Sequence, residues 1–390
     1  MSSIINNSNA NSSLINTLNA SDSKMNPNVY STRTINPSAA TVYQDTQKSS
    51  GTIGASQTIT FDLLKYGIAQ QILMCYTKTG NSGVLGAYDF MDVIDRIELL
   101  SASKVIDTLT NSDILAQLSD LENSQYYPLS ASLVNSRASG NSHFFCLPLV
   151  FGFFKEINTN LNLQFNEPMS VRIKFGGHPN NASSGTSVLS SCYLKLRYKA
   201  YNESDYSEIL TQNYSDPEMN QMITGFYDES TASVTIAGGA TNNGEKGTKV
   251  ELKNTDCVND FFVVVRKQNT TTASPPVPIS RVKMTASGQD IFDLSGAELF
   301  YSKLCDNGFS VVGMSDATQN VAKIQVGQYD YLGSDSQTNT LSLRELNNPV
   351  ITVFFDGTAG DAYDIVVSER VLKIVSTISS SGRIQTSLTN

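Results

Sequence analysis

The feature that most constrains this chain is that it repeats itself. Ile94-Asp95-Arg96-Ile97-Glu98-Leu99 returns as Ile279-Ser280-Arg281-Val282-Lys283-Met284, 185 residues later. Each copy then runs through Ser, Ala and Gly turn residues into Ile106-Asp107 and Phe292-Asp293, here aligned at an offset of 186. Leu161-Asn162-Leu163 matches Leu341-Ser342-Leu343 at an offset of 180, and at that offset Val171, Ile173, Phe175 and Gly177 fall on Ile351, Val353, Phe355 and Gly357. Nearer the start, Phe61, Leu63, Ile72, Met74 and Tyr76 fall on Val250, Leu252, Phe261, Val263 and Val265, 189 residues on. Chance likeness between alternating strands would match one block. Three blocks in the same order, with a slowly drifting offset, are what duplication followed by loop insertion leaves. Each copy spans about 145 residues, the size of one β-sandwich.

Within each copy the apolar period is two. Thr58-Ile59-Thr60-Phe61-Asp62-Leu63, Met169-Ser170-Val171-Arg172-Ile173-Lys174-Phe175 and Cys192-Tyr193-Leu194-Lys195-Leu196-Arg197-Tyr198 alternate between apolar and polar, bounded by Gly, Asn and Pro. That pattern predicts half-buried antiparallel strands. Helical patterning is scarce: Asp113–Leu118 reads as a short helix, and Asp205 with Glu208 as a capping box ahead of Ile209-Leu210. Half of the first thirty residues are Asn or Ser, too polar a stretch to offset its own ordering entropy. The expected organisation is an N-terminal arm (1–56), a first sandwich (57–200), a linker with a short helix (201–247), a second sandwich (248–378) and a C-terminal arm (379–390).

Composition excludes several classes. Charged residues are 16% of the chain, and 27 basic against 36 acidic residues leave −9, the wrong sign for a surface that neutralises phosphates. The longest apolar run, Phe144–Phe154, is far short of the roughly 20 residues of a spanning helix. The first residues lack the basic start and apolar core of a signal peptide. Five cysteines (Cys75, Cys146, Cys192, Cys257, Cys305) stand apart with no CxxC, which reads as buried free thiols in a reducing compartment.

The motifs of catalysis are missing. No G-x-S-x-G, H-E-x-x-H or G-x-G-x-x-G occurs, and His143 and His178 are single residues in different contexts. The loop Asp356–Asp364 supplies hard oxygen ligands without the dense acidic spacing of a calcium loop, and Asp290/Asp293 read as the polar side of a turn. No residue is singled out as catalytic, cofactor-binding or metal-ligating, and no enzymatic activity or cofactor is expected. What remains is a surface rich in uncharged hydrogen-bonding residues with polar arms at both ends, suited to dense self-packing.

The repeated blocks resemble a known family. Arg96-Ile97-Glu98-Leu99 running on to Ile106-Asp107 and a short helix resembles the D-strand region of double jelly-roll major capsid proteins of tailless icosahedral viruses. Leu147–Phe151, followed by Leu161–Phe165 and Val171–Phe175, resembles their proline-containing apolar strand and the F–G pair after it. The chain lacks tryptophan and the acidic-His pair often seen near those strands.

The resemblance implies an all-β chain of two tandem eight-stranded jelly rolls, with short helices in loops and extended terminal arms. It implies a major capsid protein whose homotrimers form pseudo-hexameric capsomers of an icosahedral shell. The expected partners are other copies of the chain, penton or minor capsid proteins, and an internal viral membrane met by the N-terminal arm; direct nucleic-acid binding is not expected. The expected location is the virion, assembled in the host cytoplasm. The loops Gly80–Tyr88 and Asn123–Asn141 would face outward or clasp neighbours. A β-sandwich spike or adhesin is the alternative, and the residues of the subunit interface are not legible at this level.

Overall fold

The computed structural model describes residues 39–80, 89–120, 142–154, 161–163, 167–177, 187–201, 221–237, 247–268, 276–305, 320–327, 340–378 and 383–388. The N-terminal arm before residue 39, Asp205/Glu208, His178 and the loop stretches 81–88 and 123–141 lie outside them.

The first copy contributes β1 (Ala39–Thr46), β2 (Ser50–Gly51), β3 (Thr58–Asp62), β4 (Ile68–Gly80), β5 (Ile94–Ser101), β6 (Lys104–Thr110), β7 (Ser142–Pro148), β8 (Leu161–Asn162), β9 (Met169–Phe175) and β10 (Ser187–Tyr201). The second contributes β11 (Gln221–Thr235), β12 (Thr248–Glu251), β13 (Cys257–Lys267), β14 (Ile279–Ala286), β15 (Gln289–Ser295), β16 (Val321–Gln325), β17 (Leu341–Ser342), β18 (Val350–Phe355), β19 (Ala362–Ile378) and β20 (Arg383–Leu388). Helices are α1 (Phe90–Val93), α2 (Asn111–Asp120) and α3 (Gly296–Cys305).

Two sheets of the first copy run β1-β10-β4-β7 and β3-β9-β5-β6, with β2 beside β3 and β8 beside β4. Numbered through the eight main strands, these orders are first-eighth-third-sixth and second-seventh-fourth-fifth. The second copy repeats both, as β11-β19-β13-β16 and β12-β18-β14-β15. This shuffle, with every pair antiparallel, is the jelly-roll connection of two Greek keys. Each pair of sheets closes on apolar residues from alternate positions, as in β9, where Met169, Val171, Ile173 and Phe175 are buried and the residues between them are half-buried.

Three differences from the sequence reading have simple causes. The segment read as an arm carries β1, whose ladder with β10 runs from Ala39↔Tyr201 to Thr46↔Leu194, and the segment read as a linker carries β11, paired with β19 over its whole length. Likewise β20, in the stretch read as the C-terminal arm, pairs with β19. As an edge strand β1 keeps Tyr43 and Asp45 in solvent and turns only half-buried residues inward, a weaker apolar signal than that of a central strand. The family letters also shift: Arg96–Leu99 lies on the fourth main strand, and Val171–Phe175 on the seventh. Finally, β5–β6 and β14–β15 match at a constant 185, so Asp107 corresponds to Phe292, not Asp293. Both hairpins turn on a residue with positive φ (Ala102, 52°; Ser287, 53°) and carry a bulge at the same step.

Equivalent positions differ most in burial. Lys78, two residues before the end of β4, pairs with Asp89 at 2.6 Å, both fully enclosed, whereas its counterpart Lys267 pairs with Asp361 at 2.5 Å in a half-exposed setting. Among the described residues no helix is long and apolar enough to cross a membrane. Lys78→Ala removes the charge that offsets a buried carboxylate and is expected to cost about 3 kcal/mol in urea unfolding. Lys267→Ala is expected to leave the midpoint nearly unchanged.

Candidate functional site: the junction between the two sandwiches

Helix α2 ties one sandwich to the other. It starts where β6 ends, because Thr110 and Asp113 cap it reciprocally. The Thr110 amide and hydroxyl donate to Asp113 Oδ2 at 2.9 and 3.0 Å, and the Asp113 amide donates back to Thr110 Oγ1 at 3.2 Å. Asn111 Nδ2 donates to the carbonyls of Met91 and Ile94, and Gln117 Nε2 to Val150 O at 2.8 Å, which fixes the helix on its own sandwich. The helix then packs across β13, β16 and β19 of the other copy. Leu115, Ala116 and Leu118 join Phe226, Tyr227, Phe262, Val264, Val321 and Val375 in one buried cluster that also contains the first core. Phe153 meets Phe226 edge-on, with centroids 6.2 Å apart.

Charged pairs stand inside this apolar seam. Arg266 on β13 reaches Asp92 of α1 at 3.1 Å. Arg370 pairs with Asp260 at 3.1 Å, each side chain 3% exposed. Gly225 on β11 leaves it room, since a Cβ there would stand 2.8 Å from Arg370 Nε. Glu229 on β11 hydrogen-bonds to the Thr110 hydroxyl, so the cap of α2 is shared between the copies. A hydroxyl carries one proton. That proton is placed between two carboxyls, Asp113 Oδ2 and Glu229 Oε1, both within reach of the Thr110 hydroxyl.

The acid groups respond accordingly. Burial, then the Asp113 charge, pushes Glu229 up to about 8, although the Thr110 bond acts the other way. Burial raises Asp113 to about 6 against the pull of the Thr110 amide. Asp107 accepts from the amides of Gly152 at 2.9 Å and Thr108 at 2.8 Å, yet burial still raises it to about 7. Its counterpart, Phe292, is a partly buried side chain of the second core.

Helix α3 repeats the cap at the same 185-residue offset. Ser295 and Glu298 exchange the same three bonds, at 2.8, 2.8 and 3.3 Å. There the acid is exposed, and the Ser295 amide holds Glu298 below its ordinary value. The paired strings Thr110-Asn111-Ser112-Asp113 and Ser295-Gly296-Ala297-Glu298 are legible in the sequence at the repeat's own spacing, a signal the motif reading passed over.

Residues weighed for chemistry do not converge. Asp361 is bound to Lys267, Asp364 accepts from Ser233 at 2.5 Å and from Gln268, and Asp356 is exposed. Asp290 and Asp293 pair with Lys283 and Arg281 across the β14–β15 hairpin. His143 lies in β7, opposite Lys78 in the ladder. Among the described residues no group of three or more His, Cys, Asp or Glu side chains is placed to hold a metal ion. Cys75, Cys146, Cys192 and Cys257 are free thiols, with the sulfurs of Cys75 and Cys146 3.5 Å apart on neighbouring strands.

No family model matches the sequence, and no curated protein does. Solved structures match the fold along most of the chain. PBCV-1 VP54, fitted into a reconstruction of the virophage Sputnik, aligns with a TM-score of 0.70 at 12% identity, over 90% of this chain and 97% of that one. The Faustovirus major capsid protein aligns at 0.60 and 8% identity, over 87% and 90%, and the mavirus major capsid protein at 0.54 and 12%, over 89% and 90%. The fold of this chain is therefore the double jelly roll of viral major capsid proteins.

The junction carries a pH dependence of definite sign. Glu229, Asp107 and Asp113 bind protons more tightly folded than unfolded, so their contribution is greatest below pH 4 and is lost as pH climbs through 6 to 8. The thermal midpoint is expected to rise by a few degrees between pH 8.5 and pH 6. Glu229→Gln, which keeps an acceptor for the Thr110 hydroxyl but removes the titrating group, is expected to flatten that rise in a calorimetric pH series.

Proposed function

We propose that this chain is the major capsid protein of an icosahedral virus, a structural subunit without catalytic activity. The observation that carries the reading is a duplicated jelly roll whose halves share one buried seam, matched over nine-tenths of the chain by capsid subunits. Three such chains present six sandwiches, so a homotrimer fills a hexagonal lattice position while its threefold symmetry lets unequal loops meet different neighbours. Its partners are then copies of itself, with penton or minor capsid proteins at the vertices, and its place is the virion shell, assembled in the host cytoplasm. The segment before β1 would serve as an inward arm toward an internal membrane or a neighbouring capsomer. The fold neighbours are shell proteins, and no observation favours the spike alternative.

Light scattering and negative-stain imaging of the purified chain test this. Particles of three times the 42.3 kDa chain mass with a hexagonal outline are expected; a stable monomer at all concentrations would contradict the proposal. Removing residues 1–38, which precede the first described strand, is expected to leave trimers intact while impairing shell closure, as seen by sedimentation of assembled particles.

A further inference from the structure

Cys75 of β4 and Cys146 of β7 stand directly opposite each other, 71 positions apart in sequence, with their sulfurs at 3.5 Å. The register gives this pair a particular geometry. Where the same ladder runs on past β7, the Leu149 amide donates to the Ile72 carbonyl at 2.9 Å, so Ile72 and Leu149 form a hydrogen-bonded pair. Bonded and unbonded pairs alternate along an antiparallel ladder, which makes Leu73/Pro148 and Cys75/Cys146 unbonded ones. Pro148, with no amide hydrogen to give, suits such a place. Unbonded pairs bring their Cα atoms to about 4.5 Å, inside the roughly 4.4–6.8 Å that a disulfide spans.

Packing alone does not call for sulfur here. At the repeat's offset of 189, Cys75 corresponds to Val264, and Val264 lies opposite Val321 of β16. The second copy fills the same place with two buried valines. In the first copy, Ile72, Met74 and Tyr76 turn into the core, so Cys75 lies on the other face of the sheet with Cys146 and Tyr193. Cys192, opposite Tyr76, belongs to the core cluster and is cut off from them by the sheet.

The two thiols are unequal. Cys75 is 1% exposed, whereas Cys146 is partly open to solvent. The hydrogen bond from the Cys75 thiol draws the Cys146 thiol below its ordinary value and Lys195 adds to this, against the opposing effect of burial. The same bond pushes Cys75 up. One partner is an accessible nucleophile, and the other is an enclosed thiol placed to resolve what the first one forms.

We propose that Cys75 and Cys146 form an intrachain redox clip, reduced while the chain folds and joined as a disulfide between β4 and the edge strand β7 when the folded protein meets a small-molecule disulfide. The proposal goes beyond the shell-subunit reading and does not depend on it. Cys146, as thiolate, attacks one sulfur of oxidised glutathione and releases one glutathione. Cys75 then gives up its proton and attacks the Cys146 sulfur, releasing the second. Two protein thiols become one disulfide, the glutathione disulfide becomes two thiols, and the two cysteine protons end on them. The bond ties the outermost strand of sheet β1-β10-β4-β7 to its inner neighbour and closes a long loop of chain.

The full-length chain, purified with reductant and then held with excess oxidised glutathione, tests this. After denaturation, two of its five thiols are expected to be lost to maleimide, and digestion is expected to yield one peptide pair linked through Cys75 and Cys146. The protein is expected to run at one chain mass without reductant. Its thermal midpoint is expected to rise by about 5 °C and to fall back with dithiothreitol. Cys146→Val is expected to keep its four thiols, and Cys75→Val to stop at a glutathione adduct on Cys146, neither with the shift in midpoint. Five reactive thiols after oxidation, a lasting glutathione adduct on the wild-type chain, or a link between other cysteines or between chains would overturn the proposal. If a valine variant does not fold, the wild-type thiol count and linked peptide decide alone.

Discussion

The burial of α2 between two sheets is the contact on which the rest of this molecule depends. It merges the first core and the seam into one apolar cluster, so neither half has a complete surface without the other. The same burial puts Asp107 and Asp113 where water cannot solvate a charge and leaves Glu229 half-buried beside them. Their cost is limited by amides at Gly152, Thr108 and Thr110, and by the hydroxyl that Thr110 shares with both copies. Of these bonds only Thr110–Glu229 crosses between the copies, so a slide of one sandwich on the other would break it together with the Arg266–Asp92 pair.

Duplication supplied the same parts twice, and burial gave them different properties. The capping boxes of α2 and α3 have nearly the same bond lengths, yet Asp113 is raised to about 6 and Glu298 is held low. Lys78 and Lys267 occupy equivalent positions on the third main strand and both find an aspartate, one in the interior and one at the surface. Asp107 occupies an inward position where the second copy places Phe292, and the inward-facing acid has a backbone amide of the 3-10 turn Gly152–Phe154 to receive. The strand order, by contrast, has not changed at all.

The repeat was legible because strands that bury one face must alternate, and alternation survives substitution among apolar residues. The blocks at 180, 185 and 189 are the strand pairs β9/β18, β5/β14 and β4/β13. Less legible were β1 and β11, whose outward residues are polar or aromatic and whose inward ones are few. Yet Val42-Tyr43-Gln44-Asp45 and Phe226-Tyr227-Asp228-Glu229 match at a spacing of 184. The one-residue slip between Asp107 and Phe292 arose because matching Asp to Asp overrode the turn length, which the two hairpins share.

The chain order alone therefore settled that this protein is two copies of one unit of short alternating strands, since period and repeat are local properties of residues and survive without any knowledge of neighbours. The junction was a matter for the tertiary structure. Whether a threonine–aspartate cap is a surface detail or the hinge-pin of two domains depends on what lies across from it, and dielectric and proton affinity are set by surroundings drawn from residues more than a hundred positions away.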